Sequence, residues 1–371
     1  MIKTPFFTFL DSDLSTQITA AAPADFQIEA YPADIADADK IAIVADADGL
    51  ILFPGRLSPE VLRTAPHLKL IQLLSAGYEH MDLDLCAELG IPVANNGGTN
   101  SIDVAEHTLA LILGLYRRLL DQDQGIRDGQ WDPVNSGRNT YTIHGKTAAL
   151  IGFGHIGQQV AQRLKVFGAD LLYVDEFPVP AKIVAGLNIE RVSLSEALSR
   201  ADILSLHVPL IDATRGLVNA ERLKLMPKGG VLLNFSRAEI VDEDAVLAAL
   251  ENGRLSYYVC DFPSEKLRGH DRVITLPHLG ASTDEAEDNS AMMIADQLRD
   301  YLEVGNIRNS VNFPEAIMPP TASAHRLAVV NHNVPNMVGQ ISSTLARHGH
   351  NIADLLNKSK GEVAYTLVDI D

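Results

Sequence analysis

The chain has 371 residues, 46% of them apolar, which is enough for two or three domains with a sizeable buried core. Its 30 Lys and Arg stand against 48 Asp and Glu, a net charge of -18. Such a field repels phosphate backbones and anionic lipid, so neither nucleic acid nor a membrane is the expected partner. Residues 1–10 lack the apolar core and cleavage site of a signal peptide. The longest apolar runs, such as 109–116, fall short of the roughly 18–20 residues that span a bilayer. Cys86 and Cys260 lie far apart, with no Cys or His at metal-ligand spacing. The expectation is a cytoplasmic protein with reduced thiols, no disulfide framework and no metal.

From about residue 40, short aliphatic runs alternate with amphipathic stretches, the pattern of βα units in a mostly parallel sheet. Runs 41–44, 49–53, 70–74 and 93–94 read as strands, and 58–64 and 83–89 as helices. Past the loop 95–100, Ser101 can cap a helix whose first turns carry Asp103 and Glu106 and whose apolar residues continue to Leu120. Six further strand candidates follow at 147–151, 171–174, 203–206, 231–233, 255–259 and 273–276. They are near-continuous Leu, Ile and Val, which implies burial on both faces and a doubly wound parallel sheet. A helix at 285–302 leads into the Pro-containing stretch 305–321, whose composition is that of a linker. Beyond it come a strand at 326–330, a helix at 335–348 and strands near 351–356 and 362–369.

Gly152, Gly154 and Gly157 form a GxGxxG loop between an apolar strand and a helix whose face carries Val160, Ala161, Leu164 and Phe167. Each glycine has a separate job there: a tight turn, close approach of backbone to a pyrophosphate, and close packing of helix on strand. His155 and Ile156 complete the loop, and the phosphates would face the helix N-terminus. Asp175, at the end of the next strand, suits the ribose hydroxyls of NAD and repels a 2′-phosphate. No Arg follows it closely, so NAD is preferred over NADP.

Three later segments stand at the C-terminal ends of strands, where open α/β sheets bind ligands. They hold Arg237, then Asp261 and Glu265, then His278 before a Gly-rich turn. An Arg, a Glu and a His supply what hydride transfer from an alcohol to NAD needs: a carboxylate anchor, a base for the hydroxyl proton and a group that tunes that base.

Residues 73–82, 100–111, the glycine loop, 206–209, 234–242 and 277–278 together resemble the D-isomer-specific 2-hydroxyacid dehydrogenases over nearly the whole chain. That resemblance implies a Rossmann cofactor domain, 99–282, inserted into a flavodoxin-like substrate domain formed by 1–98 and 283–315. It also implies that His278 is the acid/base, that Glu265 pairs with it, and that Arg237 holds the substrate carboxylate with the backbone amides of Ser75, Ala76 and Gly77. His207, Pro209, Phe235, Ser236, Asp261 and Gly280 join the glycine loop and Asp175 around NAD. Formate dehydrogenases of the same superfamily carry Gln at the position of Glu265, so Glu favours a substrate with a hydroxyl proton.

Residues 277–287 and 305–314 resemble the 3-phosphoglycerate dehydrogenase branch, and 325–371, after a linker at 316–324, resembles part of a regulatory ACT domain. The implied reaction is oxidation of 3-phosphoglycerate in serine synthesis, by a homodimer or homotetramer. Serine is the implied effector, at Asn333 and Asn351, while Asn331 stands where some relatives have His. Two features depart from the pattern. Many relatives have an Asp five residues before the catalytic Glu, at the position of Cys260, whereas Asp261 is four before Glu265. A phosphate calls for cations, yet the first hundred residues hold only Lys3, Lys40, Arg56, Arg63 and Lys69, of which Arg56 is best placed. A smaller substrate, such as hydroxypyruvate, glyoxylate or D-lactate, therefore stays open. So does an NADH-sensing binding protein on the same scaffold.

Overall fold

The computed structural model describes residues 1–10, 12–22, 24–321 and 325–371; the end of the expected linker, 322–324, lies outside them. Residues 1–99 run β1 (Ile2–Thr8), α1 (Ser12–Ala21), β2 (Phe26–Pro32), α2 (Asp37–Val44), β3 (Gly49–Phe53), α3 (Pro59–Arg63), β4 (Leu70–Leu73), α4 (Leu83–Glu88) and β5 (Val93–Ala94). Next come α5 (Ser101–Tyr116), α6 (Leu119–Arg127), β6 (Thr147–Ile151), α7 (His155–Val166), β7 (Asp170–Val174), α8 (Ala181–Leu187), β8 (Glu190–Arg191), α9 (Leu194–Arg200) and β9 (Ile203–Leu206). They are followed by α10 (Ala220–Leu223), β10 (Gly230–Asn234), α11 (Glu243–Glu251), β11 (Leu255–Cys260) and β12 (Val273–Thr275). The chain ends with α12 (Asp284–Val304), β13 (His325–His332), α13 (Met337–Arg347), β14 (Ile352–Lys360) and β15 (Val363–Ile370). It divides into two compact units, Met1–Thr99 with Asp284–Asp371, and Asn100–Thr283. No helix among the described residues is long and apolar enough to cross a membrane.

In the first unit a five-stranded parallel sheet has the order β2-β1-β3-β4-β5, the flavodoxin-like winding. One face packs Leu50, Leu52, Ile71 and Leu73 against Val44, Val61, Leu62 and Leu85. The other packs Phe6, Ile51 and Leu70 against Ile18, Ile294 and Leu298. Helices as short as α3 do not stand alone in water. Ser58 Oγ accepts from Val61 N at its start, worth about 1 kcal/mol, and burial of Val61 and Leu62 adds about 1.5–3 kcal/mol each. Packing thus outweighs propensity here.

Two readings of this region are corrected. Residues 41–44, expected as a strand, are the end of α2, where Asp37 and Asp39 suit the first turn and Ile41 and Val44 share one face. The first strands, β1 and β2, were not expected at all. Pro5 argues against a central strand, but β3 pairs only with Phe6–Thr8, so the missing N–H falls outside that ladder.

The same unit ends in a three-stranded antiparallel sheet, order β13-β15-β14. Tyr365 and Leu367 of β15 bury Ile307, Phe313, Ala316 and Met318, so the proline-rich stretch of linker composition carries packed apolar side chains. Arg326 clamps it. Its guanidinium meets both oxygens of Asp369 at 2.6 and 2.8 Å and donates to the carbonyls of Met318, at 2.7 Å, and Pro319, at 2.8 Å.

The second unit is a seven-stranded parallel sheet, order β12-β11-β10-β9-β6-β7-β8. Helices α9, α10 and α11 cover one face and α5, α7 and α8 the other, the doubly wound arrangement that the near-continuous aliphatic runs imply. The seventh strand, β8, escapes sequence reading because both of its residues are polar and exposed. The helix from Ser101 stops at Tyr116 rather than at Leu120, because Arg118 turns left-handed at φ 52°.

Candidate active site

The glycine loop joins β6 to α7. Gly152 has φ +92°, and a Cβ there would lie 2.3 Å from the His207 carbonyl oxygen. A Cβ on Gly157 would lie 2.4 Å from the Gly152 oxygen, so the first and third positions exclude every side chain. Gly154 faces open space, where a pyrophosphate could meet the free N–H groups that begin α7 at His155 and Ile156. Asp175, just past β7, accepts from Phe153 N at 2.7 Å and Phe177 N at 2.9 Å, which fixes its carboxylate beside the loop. These groups fit a dinucleotide: a cradle that a Cβ would fill, a helix N-terminus for phosphate and an acid for ribose.

The ends of β9, β10 and β11 line up at the same edge. His207 follows β9, with its Nε2 2.9 Å from Ser205 Oγ; burial pushes its pKa down to about 4, so it is neutral near pH 7. The Pro209 carbonyl accepts from Thr214. Phe235 and Ser236 follow β10, Ser236 Oγ donating to the Leu206 carbonyl at 2.9 Å. Arg237 comes next, its backbone held by Asn234 Nδ2 on its carbonyl at 2.9 Å.

His278 has φ +57°, a left-handed conformation uncommon outside Gly, Asn, Asp and His. Its Nδ1 stands 3.3 Å from Asp261 Oδ2, and its imidazole is 57% exposed. Phe262 packs beside the ring at 5.1 Å between centroids. The loop passes alongside α5 at Gly280, where a Cβ would make ordinary contacts, 3.5 Å from the His107 ring and 3.9 Å from Asp261 Oδ2. Thr283 Oγ1 ties the loop's far end to Asp103 at 2.6 Å. Glu265 faces outward, 85% exposed and 3.0 Å from Arg268.

In the other unit, Arg56 lies just beyond β3 and Ser75, Ala76 and Gly77 just beyond β4, at the same edge of paired strands. Arg56 is exposed and makes no ion pair among the described residues. Ser75 Oγ donates to the Gly77 carbonyl at 2.9 Å and Asn95 Nδ2 to that of Ala76 at 2.9 Å, which shapes the turn. Asn333 and Asn351 are not brought together. Asn333 bonds Glu362 and Gly361 at one end of the three-stranded sheet, and Asn351 bonds Asp371 at the other.

Two groups in the second unit escape sequence reading. His107 packs edge-on against Phe235 at 5.3 Å, and burial lowers its pKa against the opposing pull of Asp261. Its signal is a histidine beside the apolar face of Val104, Thr108 and Leu109. Arg191 donates to the backbone carbonyl of Asp175 at 2.7 Å; it comes from β8, 16 residues away in sequence, so no local motif reveals it.

A doubly wound sheet with this loop, acid and strand-end His and Arg defines a nicotinamide-dinucleotide dehydrogenase. A family model described as D-isomer specific 2-hydroxyacid dehydrogenase, NAD binding domain, matches residues 109–280. The chain is 32% identical over 326 residues to D-3-phosphoglycerate dehydrogenase of Haemophilus influenzae, covering 85% of this chain and 78% of that protein. It is 29% identical over 385 residues to D-3-phosphoglycerate dehydrogenase 1 of Saccharomyces cerevisiae, covering 97% and 81%. Among solved structures, the apo form of D-lactate dehydrogenase from Escherichia coli matches with TM-score 0.68 at 25% identity, over 84% of this chain and all of that one. The chain therefore belongs to the D-isomer-specific 2-hydroxyacid dehydrogenase family, as an NAD-dependent enzyme.

Proposed function

We propose that the enzyme oxidises D-3-phosphoglycerate to 3-phosphohydroxypyruvate, the first step of serine synthesis. The observation that carries this is the similarity to 3-phosphoglycerate dehydrogenases over 85% and 97% of the chain. NAD, when bound, supplies the hydride acceptor. His278 takes the proton of the C2 hydroxyl, and Arg237 holds the carboxylate through its planar fork. The resemblance assigns the carboxylate's other contacts to the N–H groups of Ser75, Ala76 and Gly77, and the phosphate calls for a cation such as Arg56. The resemblance assigns the carboxylate behind His278 to Glu265.

The test is NADH absorbance with NAD and, separately, 3-phosphoglycerate, D-glycerate and D-lactate, and in reverse with hydroxypyruvate and glyoxylate. The expected result is the highest kcat/KM with 3-phosphoglycerate; a higher value with any of the others overturns the substrate assignment. The scarcity of cations in the first hundred residues favours the second reading, a smaller 2-hydroxy acid. Arg56→Ala separates the two, raising KM about 10-fold or more for the phosphorylated substrate alone if a charged pair is lost. His278→Ala is expected to lower kcat by about 10²–10⁴-fold.

A further inference from the structure

The loop after β11 carries two carboxylates in opposite situations. Asp261 is buried, its side chain 2% exposed, with Oδ2 3.3 Å from His278 Nδ1. Glu265 is in solvent with Arg268. The reason lies in the strand. Gly230 pairs with Leu255 and Val231 with Tyr257, so Ser256 is an extra bulged residue. Cys260 therefore ends the ladder opposite Asn234, and Asp261 is the first residue free to turn toward α5 and the His278 loop.

A buried carboxylate needs a compensating partner. Among the described residues, Asp261 has no Lys or Arg in an ion pair, and its Oδ1 has no hydrogen-bond partner. Two imidazoles face it. His107, from α5, is kept neutral by burial, with Nε2 buried and unpartnered. His278 is half in solvent, where a positive charge costs least. A carboxylate on Nδ1 also selects the ring orientation that leaves Nε2 for a reacting proton.

We infer that Asp261, rather than Glu265, is the positioning residue that holds the His278 imidazole through Nδ1 and stabilises its charged form. The inference rests on the reading of His278 as the acid/base. Asp261 on the β11 loop is the carboxylate recorded against that ring, His107 on α5 faces the same Asp261, and Phe262 supplies an apolar wall.

The experiment compares the full-length protein with Asp261→Asn and Glu265→Gln, each first checked by thermal melting. Reduction needs the imidazolium, so losing the stabilising carboxylate moves the alkaline limb of the reductive pH profile to lower pH. For Asp261→Asn the expected shift is about one unit, with kcat about 10²-fold lower and the KM for the keto acid within about threefold. Glu265→Gln should leave the limb in place. A shifted limb in Glu265→Gln alone overturns the inference. So does an Asp261→Asn enzyme that loses only NADH affinity and keeps its kcat at saturation, which would make Asp261 a nicotinamide contact.

An NMR titration of the His278 Cε1 proton, assigned by its loss in His278→Gln, needs no substrate. It therefore separates failure here from failure of the substrate assignment. Its midpoint should fall by about one unit in Asp261→Asn, and an unchanged midpoint overturns the inference. If Asp261→Asn fails to fold, Asp261→Ser in the same titration removes the same charge.

Discussion

The seven-stranded sheet and the C-terminal three-stranded sheet are built from similar residues but stabilised differently. Every residue of β9 and β10 is buried, whereas no residue of β13 or of α13 is. The parallel sheet is held by packing on two faces, so steric fit governs it. The antiparallel sheet is covered through β15 and leans on a polar clamp, so charge governs it. Removing a void-free contact should damage the first most, and removing one ion pair the second.

The largest effect on cofactor binding is expected from Gly152→Ala. Its Cβ would strike the His207 carbonyl from a left-handed backbone, so NADH affinity, read by fluorescence titration, should fall more than about 100-fold, which corresponds to about 2.7 kcal/mol. Amide exchange in β13–β15 should stay as it is. The largest effect on stability is expected from Arg326→Met, which leaves Asp369 buried without its cation, the two side chains being 14% and 3% exposed. Breaking such a pair costs about 3–5 kcal/mol. Hydrogen exchange should therefore accelerate across β13–β15 while NADH affinity changes less than about twofold.

Acid should separate the two regions in order. The His207 pKa is lowered to about 4 by burial, against roughly 6.5 in an unfolded chain. Its unfolded form therefore binds the proton first, and the seven-stranded unit loses stability as pH falls from about 6.5 toward 4. Asp369 is held below the usual carboxylate value, chiefly by the Arg326 hydrogen bonds. Its contribution is complete above about 3.9 and is lost only as pH falls below that. Melting followed by exchange at pH 8, 5.5 and 4.5 should show the seven-stranded unit weakening while the tail clamp holds, and His207→Asn should flatten that slope. The smallest effect belongs to Arg200→Ala. Its pairs with Glu190 and Glu196 are solvent-exposed, and their loss should leave the midpoint of a denaturant melt nearly unchanged.

The same contrast decides what the sequence discloses. Strands such as β6 and β9 are legible because double-sided burial forces unbroken aliphatic runs. β1 hides behind Pro5 and the buried polar Thr4 and Thr8, and β2 behind Gln27 and Glu29. In the site, the glycine loop is legible because each glycine answers a local steric demand. The neighbour of His278 is not legible, since it depends on one bulged residue, Ser256, 5 positions before Asp261 along the strand. His107 is likewise visible only once α5 lies on its sheet.

Strand β13 lies at the edge of its sheet, and among the described residues no strand pairs with its outer side. Its backbone N–H and C=O groups, with Leu327 and Val330 each 38% exposed, form a template onto which a foreign strand can add. The shared net charge of -18 opposes such edge-to-edge addition between copies of the chain, a protection that acts through solvent and shrinks to a reach of roughly 3 Å at 1 M salt. The acidic balance thus serves as colloidal insurance for an unguarded strand, and concentrated salt cancels it.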